Sequence, residues 1–387
     1  MTATTQSTLL ELPPLSLYVH IPWCIRKCPY CDFNSHQSNG EVPEAQYIDA
    51  LLQDARNNAE FAQGRVLQTI FFGGGTPSLF SAAGYVRLLT GLQEILPFAA
   101  DIEITLEANP GSAERGKFAD YRRAGINRLS IGVQSFDDLQ LHALGRIHGS
   151  DDARMAIEFA RAAGFDNLNI DIMYALRGQS TADAIRDLQT AIAFEPEHLS
   201  WYQLTIEPNT EFYKRPPVLP EDDALIDIQD SGLALLQANG YGRYEVSAFA
   251  RQAKQARHNL NYWRFGDYIG IGAGAHGKVT QVAQGQIVRT RNKKQPERYL
   301  NAGERFLAEL APIPEDQLVI EYLLNVLRMP EGFSTAAFEA ATGLGFELIQ
   351  KQVSSLQVQE LLSFEDSHVR PTEKGQQFLN SVLETFL

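Results

Sequence analysis

Cys24, Cys28 and Cys31 are the 3 cysteines of this 387-residue chain, and their C-x3-C-x2-C spacing lets three thiolates converge on one centre. Pro22 and Pro29 keep the segment out of regular helix. An odd, small number of cysteines cannot make a disulfide framework, so the cluster points to a metal group or a reactive thiol. A zinc ion would have to recruit His20, Asp32 or His36 as a further ligand. A four-iron cluster can take three cysteines and leave one iron open, and the compact triple with Tyr30 directly before Cys31 favours it.

Other residues with chemical potential end apolar runs. Phe71-Phe72-Gly73-Gly74-Gly75-Thr76-Pro77 brings glycine backbone to a place where it can approach a ligand or make a tight turn. Glu107, Gln134 and Asp171 each end or nearly end such a run. Singly, each carboxylate caps a helix as readily as it binds a ligand. On successive strands facing the cysteine loop, the three polar side chains gather over one face. Arg146, in Leu144-Gly145-Arg146-Ile147-His148, adds a planar cation suited to carboxylates, with a surface ion pair as the plainer account.

The elements that must position these groups follow from the hydrophobic pattern. Strands are predicted at Leu15–Ile21, Thr69–Phe72, Ile102–Glu107, Arg128–Gln134, Asn167–Tyr174 and His198–Ile206, each apolar enough to be covered on both faces. Between them run helical patterns, Glu44–Ala62, Ser81–Leu96, Ser112–Ala124 and Ser150–Ala163, with Ser81, Ser112 and Ser150 as caps. This α/β alternation means a parallel sheet with crossover helices, as barrel or open sheet, and a site at the strands' carboxyl ends. A long helix, Asp222–Asn239, follows, then an irregular stretch with a basic segment from Arg289 to Arg298. From about Ile313 the order is that of a winged helix: helices Glu315–Arg328, Ser334–Ala341 and Gly345–Ser355, strands Leu361–Phe364 and Val369–Pro371 around an Asp366-Ser367 turn, and helix Glu373–Phe386.

Composition bounds the partners. Hydrophobic residues make up 44% and charged residues 21%, as in ordinary globular proteins, and 33 Lys and Arg against 47 Asp and Glu give a net charge of -14. Such a surface does not gather phosphate backbones, and residues 313–387 hold 4 Lys and Arg against 11 Asp and Glu, so no nucleic acid is expected. The winged-helix-like unit is then a structural or partner-docking appendage. The residues before Leu15 carry no basic start or apolar leader, and no 18-residue apolar run appears. A cytoplasmic protein without membrane insertion is expected.

The cysteine triple after a first strand, with an aromatic before the last Cys, resembles the radical SAM superfamily. There the open iron chelates S-adenosylmethionine (SAM), and the reduced cluster cleaves it to a 5′-deoxyadenosyl radical. Gly-Gly-Gly-Thr-Pro one βα unit later strengthens the likeness, since in that family this stretch pairs with the amino end of the methionine moiety. Tyr18-Val19-His20-Ile21-Pro22-Trp23-Cys24, Glu107, Gly132-Val133-Gln134-Ser135-Phe136, Leu-Gly-Arg-x-His and Asp171 together resemble the oxygen-independent coproporphyrinogen III oxidase (HemN-like) family over about Leu15–Ala275. The resemblance implies a [4Fe-4S] cluster on Cys24, Cys28 and Cys31 and SAM contacts from Tyr18, Gly74, Gly75, Thr76, Glu107, Gln134, Arg146 and Asp171, with Tyr30 stacked near the cluster. It also implies an α/β radical SAM partial (β/α) barrel over 15–240 after an N-terminal tail, 1–14. An extension over 241–312 and an α+β winged-helix-like domain over 313–387 complete the chain.

The oxidase has a further Cys two residues after the third, where this chain has Asp32-Phe33, and a longer region before the first strand. Both departures match the HemW branch, as does His258-Asn259-Leu260-Asn261-Tyr262-Trp263, which matches its HNxxYW motif. Members of that branch are regarded as haem chaperones, so the resemblance implies haem as cargo and acceptor apo-haem proteins, respiratory ones among them, as partners, with a homodimer as an admissible assembly. Porphyrinogen oxidation is the alternative activity. His258 could ligate haem iron while Tyr262 and Trp263 pack on the porphyrin; a buried aromatic pair with a hydrogen-bonded histidine is the plainer account. The basic segment could meet propionates, although a solvated loop is the simpler expectation, and His20, His142, His148 and His276 are further unranked ligand candidates.

Overall fold

The computed structural model describes residues 10–38, 40–111 and 116–387; residues 1–9 of the tail and the cap expected at Ser112 lie outside the described residues. Strands β1 (Leu15–Ile21), β2 (Leu67–Gly74), β3 (Phe98–Ala108), β4 (Arg128–Gln134), β5 (Leu168–Tyr174) and β6 (His198–Gln203) stand side by side, parallel and in chain order. Helices Glu44–Asn57, Ala82–Ile95, Phe118–Arg123, Ser150–Ala162 and Thr181–Ala193 cross between them. Ser81 caps its helix by accepting the Gly84 N–H at 3.0 Å. Ser150 does not cap: Gly149 is the cap residue, its N–H bonded to Asp152 at 3.1 Å, and Ser150 begins the helix.

Strands β7 (Gly242–Arg243), β8 (Ala248–Ala250), β9 (Asp267–Ile271), β10 (His276–Gln281), β11 (Gln286–Asn292) and β12 (Leu307–Pro312) extend the sheet on both sides. Its 12 strands run β12-β11-β10-β9-β1-β2-β3-β4-β5-β6-β8-β7, and the two end strands do not pair among the described residues, so the barrel is incomplete. The basic segment departs from the loop expectation: Arg289 and Arg291 lie on β11, laddered between β10 and β12. Alternating hydrophobic Val288 and polar Arg289, Thr290 and Arg291 suit a strand with one face on the core.

The inner face of the barrel also differs from the expectation of strands apolar on both sides. Every second residue is polar along the strand length: Ser16 on β1, Thr69 on β2, Glu103 and Thr105 on β3, Arg128 and Ser130 on β4, Asn169 on β5 and His198 on β6, all buried. Most of them bond to one another: Thr69 donates to Ser16 at 2.8 Å, Asn169 to Ser130 at 2.8 Å, and His198 bonds Asn169 at 2.6 Å and Tyr244 at 2.6 Å, while Thr105 Oγ1 and Arg128 Nε have no partner among the described residues. Hydrophobic side chains dominate the other face, where helices pack against Leu17, Ile70, Leu106, Ile131 and Ile170. A burial period of 2 with hydrogen-bonded polar groups inside is consistent with the apolar averages seen in sequence, because the outer half of each strand supplies them.

Residues 313–387 build a second hydrophobic cluster on Leu318, Tyr322, Phe338, Val353, Leu362 and Val369, which Phe265 and Ile287 of the preceding segment join. Helices Glu315–Val326, Thr335–Thr342 and Gln350–Val358 precede the hairpin Leu362–Glu365 and His368–Pro371, whose turn residues Asp366 and Ser367 both have positive φ. The terminal helix is split at Phe378 into Glu373–Gln377 and Leu379–Glu384. Among the described residues no helix is long and apolar enough to cross a membrane.

Asp54, fully buried on helix Glu44–Asn57, joins the barrel to the extension by accepting from Gly272 N at 3.1 Å, Asn292 at 2.7 Å, Tyr299 at 2.7 Å and Asn58 at 2.9 Å. Asp54→Ala would take an acceptor from these donors; Gly272 N keeps Tyr299 Oη and Asn58 keeps the Asp54 carbonyl, and each buried donor left unmade costs about 1–3 kcal/mol. Chemical denaturation of the variant is expected to show a loss of at least about 3 kcal/mol. A loss below about 1 kcal/mol would show that the network is dispensable.

Candidate functional site

β1 ends three residues before Cys24, and the chain turns there over the mouth of the barrel. Gly75 N donates to Ile21 O and Thr76 N to Trp23 O, both at 2.7 Å, so the glycine turn and the cysteine segment are fastened to each other. Gly74 has φ +113, and a Cβ there would meet the His20 ring at 2.5 Å; a Cβ on Gly75 would meet Trp23 O at 2.5 Å. These positions require glycine for the turn itself, because the added carbon would point into the protein.

A cavity of about 360 Å³ opens at the carboxyl ends of the strands. Cys24, Cys28 and Cys31 line it with Tyr30, and Gly74, Gly75, Thr76, Glu107, Gln134, Arg146 and Asp171 line it from the strand ends. All three cysteines are free thiols at intermediate exposure. Burial pushes the Cys24 thiol up, and Cys31 Sγ lies 3.6 Å from Ser35 Oγ. Tyr30 packs against Phe212 at 6.4 Å between ring centres.

Arg146 is half-buried and held by Asn109 Oδ1 at 2.6 Å and Gly132 O at 2.7 Å, with Nη1 3.7 Å from Cys28 Sγ. Its Nε has no partner among the described residues. This is no surface ion pair: the cation faces the thiols and keeps a donor in reserve. Glu107 accepts Gly74 N at 3.2 Å; burial first, and then the Asp171 carboxylate, push its carboxyl up to about 8. Asp171, also raised by burial, accepts from Asn169 at 2.8 Å and Ser130 at 3.2 Å. Gln134, with φ 72, accepts the Tyr202 hydroxyl at 2.6 Å. Two acids on one side and a guanidinium on the other can receive a ligand carrying both an ammonium and a carboxylate.

Sequence reasoning missed Asn109 and Tyr202. Asn109 ties Thr76 Oγ1, at 3.0 Å, to Arg146; its signal was its place just after Glu107. Tyr202 lies two residues beyond Ser200 on the inner face of β6, a periodicity that could have exposed it.

A second, larger cavity of about 730 Å³ adjoins the first, and Gly74, Glu107, Phe33 and Ser35 line both. Tyr18 lines this larger cavity, away from the cysteines, with its hydroxyl 2.9 Å from His20 Nδ1. The cavity lies between the Asp32–His36 loop, strands β9, β10 and β11, and the helix Arg257–Trp263. Tyr262, Trp263, Tyr268 and Phe265 supply aromatic walls, and Lys27, Lys278, Arg289 and Lys294 supply cations.

His258 does not line the cavity, which corrects its reading as an iron ligand. It is 1% exposed, plugged into the barrel with Nδ1 2.6 Å from Thr69 Oγ1, Nε2 2.8 Å from the Tyr262 hydroxyl and its ring stacked on Phe71. Both ring nitrogens are engaged, and burial, with Arg128 nearby, lowers its pKa to about 3. The imidazole positions Tyr262, and the helix fills the polar interior of the barrel. The zinc alternative also lacks its partners: both nitrogens of His20 are bonded, to Tyr18 and Asn34 O, while Asp32 and His36 line the other cavity. Among the described residues no three His, Cys, Asp or Glu side chains are grouped to hold a single metal ion.

Comparison with known proteins agrees with this geometry. Residues 18–191 match the Radical SAM superfamily and residues 313–378 the HemN C-terminal domain. The chain is 51% identical to the Heme chaperone HemW of Escherichia coli (strain K12), over 98% of this chain and 100% of that protein. It is 47% identical to the Heme chaperone HemW of Haemophilus influenzae, over 97% and 99%. Its fold superposes on the coproporphyrinogen III oxidase HemN of Escherichia coli, a radical SAM enzyme, with a TM-score of 0.81 at 25% identity, over 97% of this chain and 90% of that one. With cysteine loop, glycine turn and strand-end acids around one cavity and near-complete coverage of these relatives, the chain belongs to the HemW family of the radical SAM superfamily.

Proposed function

We propose that this protein is a haem chaperone: it binds haem in the larger cavity and passes it to acceptor haem proteins, respiratory ones among them. The observation that carries this reading is the aromatic and cationic cavity of about 730 Å³, large enough for a porphyrin-sized ligand and sharing a wall with the cysteine cavity. Flat apolar walls suit the macrocycle, and cations suit its propionates. The chain acts in the cytoplasm, as a monomer or a homodimer, with the barrel over 15–240, the extension over 241–312 and the appendage over 313–387 as its working parts.

Cys24, Cys28 and Cys31 would hold a [4Fe-4S] cluster. The fit rests on three thiols around one opening and a half-buried guanidinium beside Cys28 that offsets negative charge. When bound with SAM, the cluster supplies one-electron chemistry. Glu107 and Asp171 would receive the cationic and hydroxyl groups of SAM, Arg146 its carboxylate, and Gln134 would hold its place through Tyr202. Gly74, Gly75 and Thr76 supply backbone along the same wall.

The alternative, radical oxidation of coproporphyrinogen III, draws on the likeness to HemN. Against it, the position two residues after Cys31 is Phe33, 62% exposed at the junction of the two cavities, where the oxidase carries a thiol.

Anaerobic reconstitution is expected to give about four irons per chain, lost in Cys24→Ala, Cys28→Ala or Cys31→Ala; one zinc and no iron–sulfur absorption would overturn the cluster. Because Glu107 is raised to about 8, its neutral form dominates below that pH, whereas the permanent sulfonium cation of bound SAM favours the carboxylate. SAM affinity measured by calorimetry should therefore rise as pH climbs through about 8 and flatten above it, and Glu107→Gln should abolish that slope. Purified protein should bind haem and leave coproporphyrinogen III unchanged under reducing, SAM-replete conditions; efficient conversion to protoporphyrinogen IX would overturn the chaperone assignment.

A further inference from the structure

The larger cavity is lined by a histidine that lies outside the HNxxYW motif, His276. We infer that His276, the first residue of β10, is the axial ligand of haem held in that cavity; this rests on the chaperone reading above.

The argument is one of available lone pairs. Of the chain's 8 histidines, only His20, His36 and His276 line the cavity. His20 is buried, with Nδ1 bonded to Tyr18 and Nε2 to Asn34 O at 2.9 Å. His36 has its Nε2 3.2 Å from Asn34 Oδ1 and makes a further bond to the Lys294 backbone. His276 has no hydrogen-bond partner on its ring among the described residues, and its side chain is exposed at the cavity wall.

The backbone beneath it is rigid. His276 pairs with Arg291 across the β10 and β11 ladder, Lys278 with Arg289, and the Asn292 N–H donates to Ala275 O at 2.9 Å. Strand periodicity puts His276 and Lys278 on one face, and both line the cavity. Lys278 is already committed to Asp267 at 2.9 Å, so its cation anchors the wall while the imidazole beside it stays available. Partial desolvation at the cavity wall, with Arg291, Lys294 and Arg289 nearby, lowers the His276 pKa, the direction that keeps the nitrogen neutral and able to ligate iron. Tyr262 and Trp263 line the same cavity, so an imidazole and aromatic rings are both available to a haem there.

The test is haem titration of the full-length protein, wild type against His276→Ala, His276→Met and His258→Ala, read by Soret absorption and by electron paramagnetic resonance of the ferric form. His276 sits at the exposed start of a strand, so folding, checked by circular dichroism, should survive. His276→Ala is expected to lose more than about tenfold in haem affinity and to regain a histidine-like spectrum on adding imidazole. His276→Met should keep haem with a shifted Soret band, while His258→Ala should keep the wild-type axial signature. An unchanged spectrum and affinity in His276→Ala, with the wild type binding haem, would overturn this inference and leave the chaperone reading standing. A wild type without a Soret band would overturn both.

Discussion

The position of β1 governs everything else. It pairs in parallel with β2 on one side and β9 on the other, Ile21 opposite Gly74 and Val19 opposite Ile271. The cysteine loop that leaves its end is therefore caught between the glycine turn and the extension. Tyr47 reinforces the arrangement, donating to His20 O at 2.8 Å and accepting the Ala273 N–H at 2.8 Å. A slip of one residue in either pairing would turn Tyr18 and His20 outward and bring Leu17 and Val19 into the barrel, which would destroy both cavities. Parallel neighbours on both flanks come from residues distant in the chain, so this constraint is formed late in sequence and early in importance.

Asn34 is the physical join between the two cavities. Its backbone carbonyl holds His20, its amide donates to Ala273 O at 2.9 Å and Lys294 O at 3.0 Å, and its side-chain oxygen lies 3.2 Å from His36. The loop that begins with the cysteines thus forms a wall of the larger cavity. The polar barrel interior serves the same end. An incomplete barrel leaves one flank open, and hydrogen-bonded side chains with the His258 helix fill it without an apolar plug that would block the strand-end acids.

The C-terminal unit contributes through ion pairs and a cation–π contact with the extension. Arg328 pairs with Glu245 at 2.9 Å and lies over the Trp263 ring at 4.4 Å, Glu321 pairs with Arg289, and Asn325 reaches the cavity wall. The winged-helix order carries no basic surface, and its first helix instead braces the aromatic wall of the larger cavity.

Much of this was legible in the chain. Local spacing determined the cysteine triple, the glycine turn and the strands that carry Glu107, Gln134 and Asp171, because short-range periodicity and turn chemistry act within a few residues. β1 and β4 were read to the residue, whereas β3 begins four residues earlier than expected, at Phe98, because pairing with β2 extends it. What the sequence alone could not decide was which polar side chains have free atoms. His258 and His276 look alike as letters, and the motif favoured the first. Folding buries His258 between Thr69 and Tyr262, satisfying both its nitrogens, and leaves the His276 ring bare at a cavity wall. Whether a histidine can meet a metal depends on partners brought from far along the chain, and only the tertiary structure assigns them.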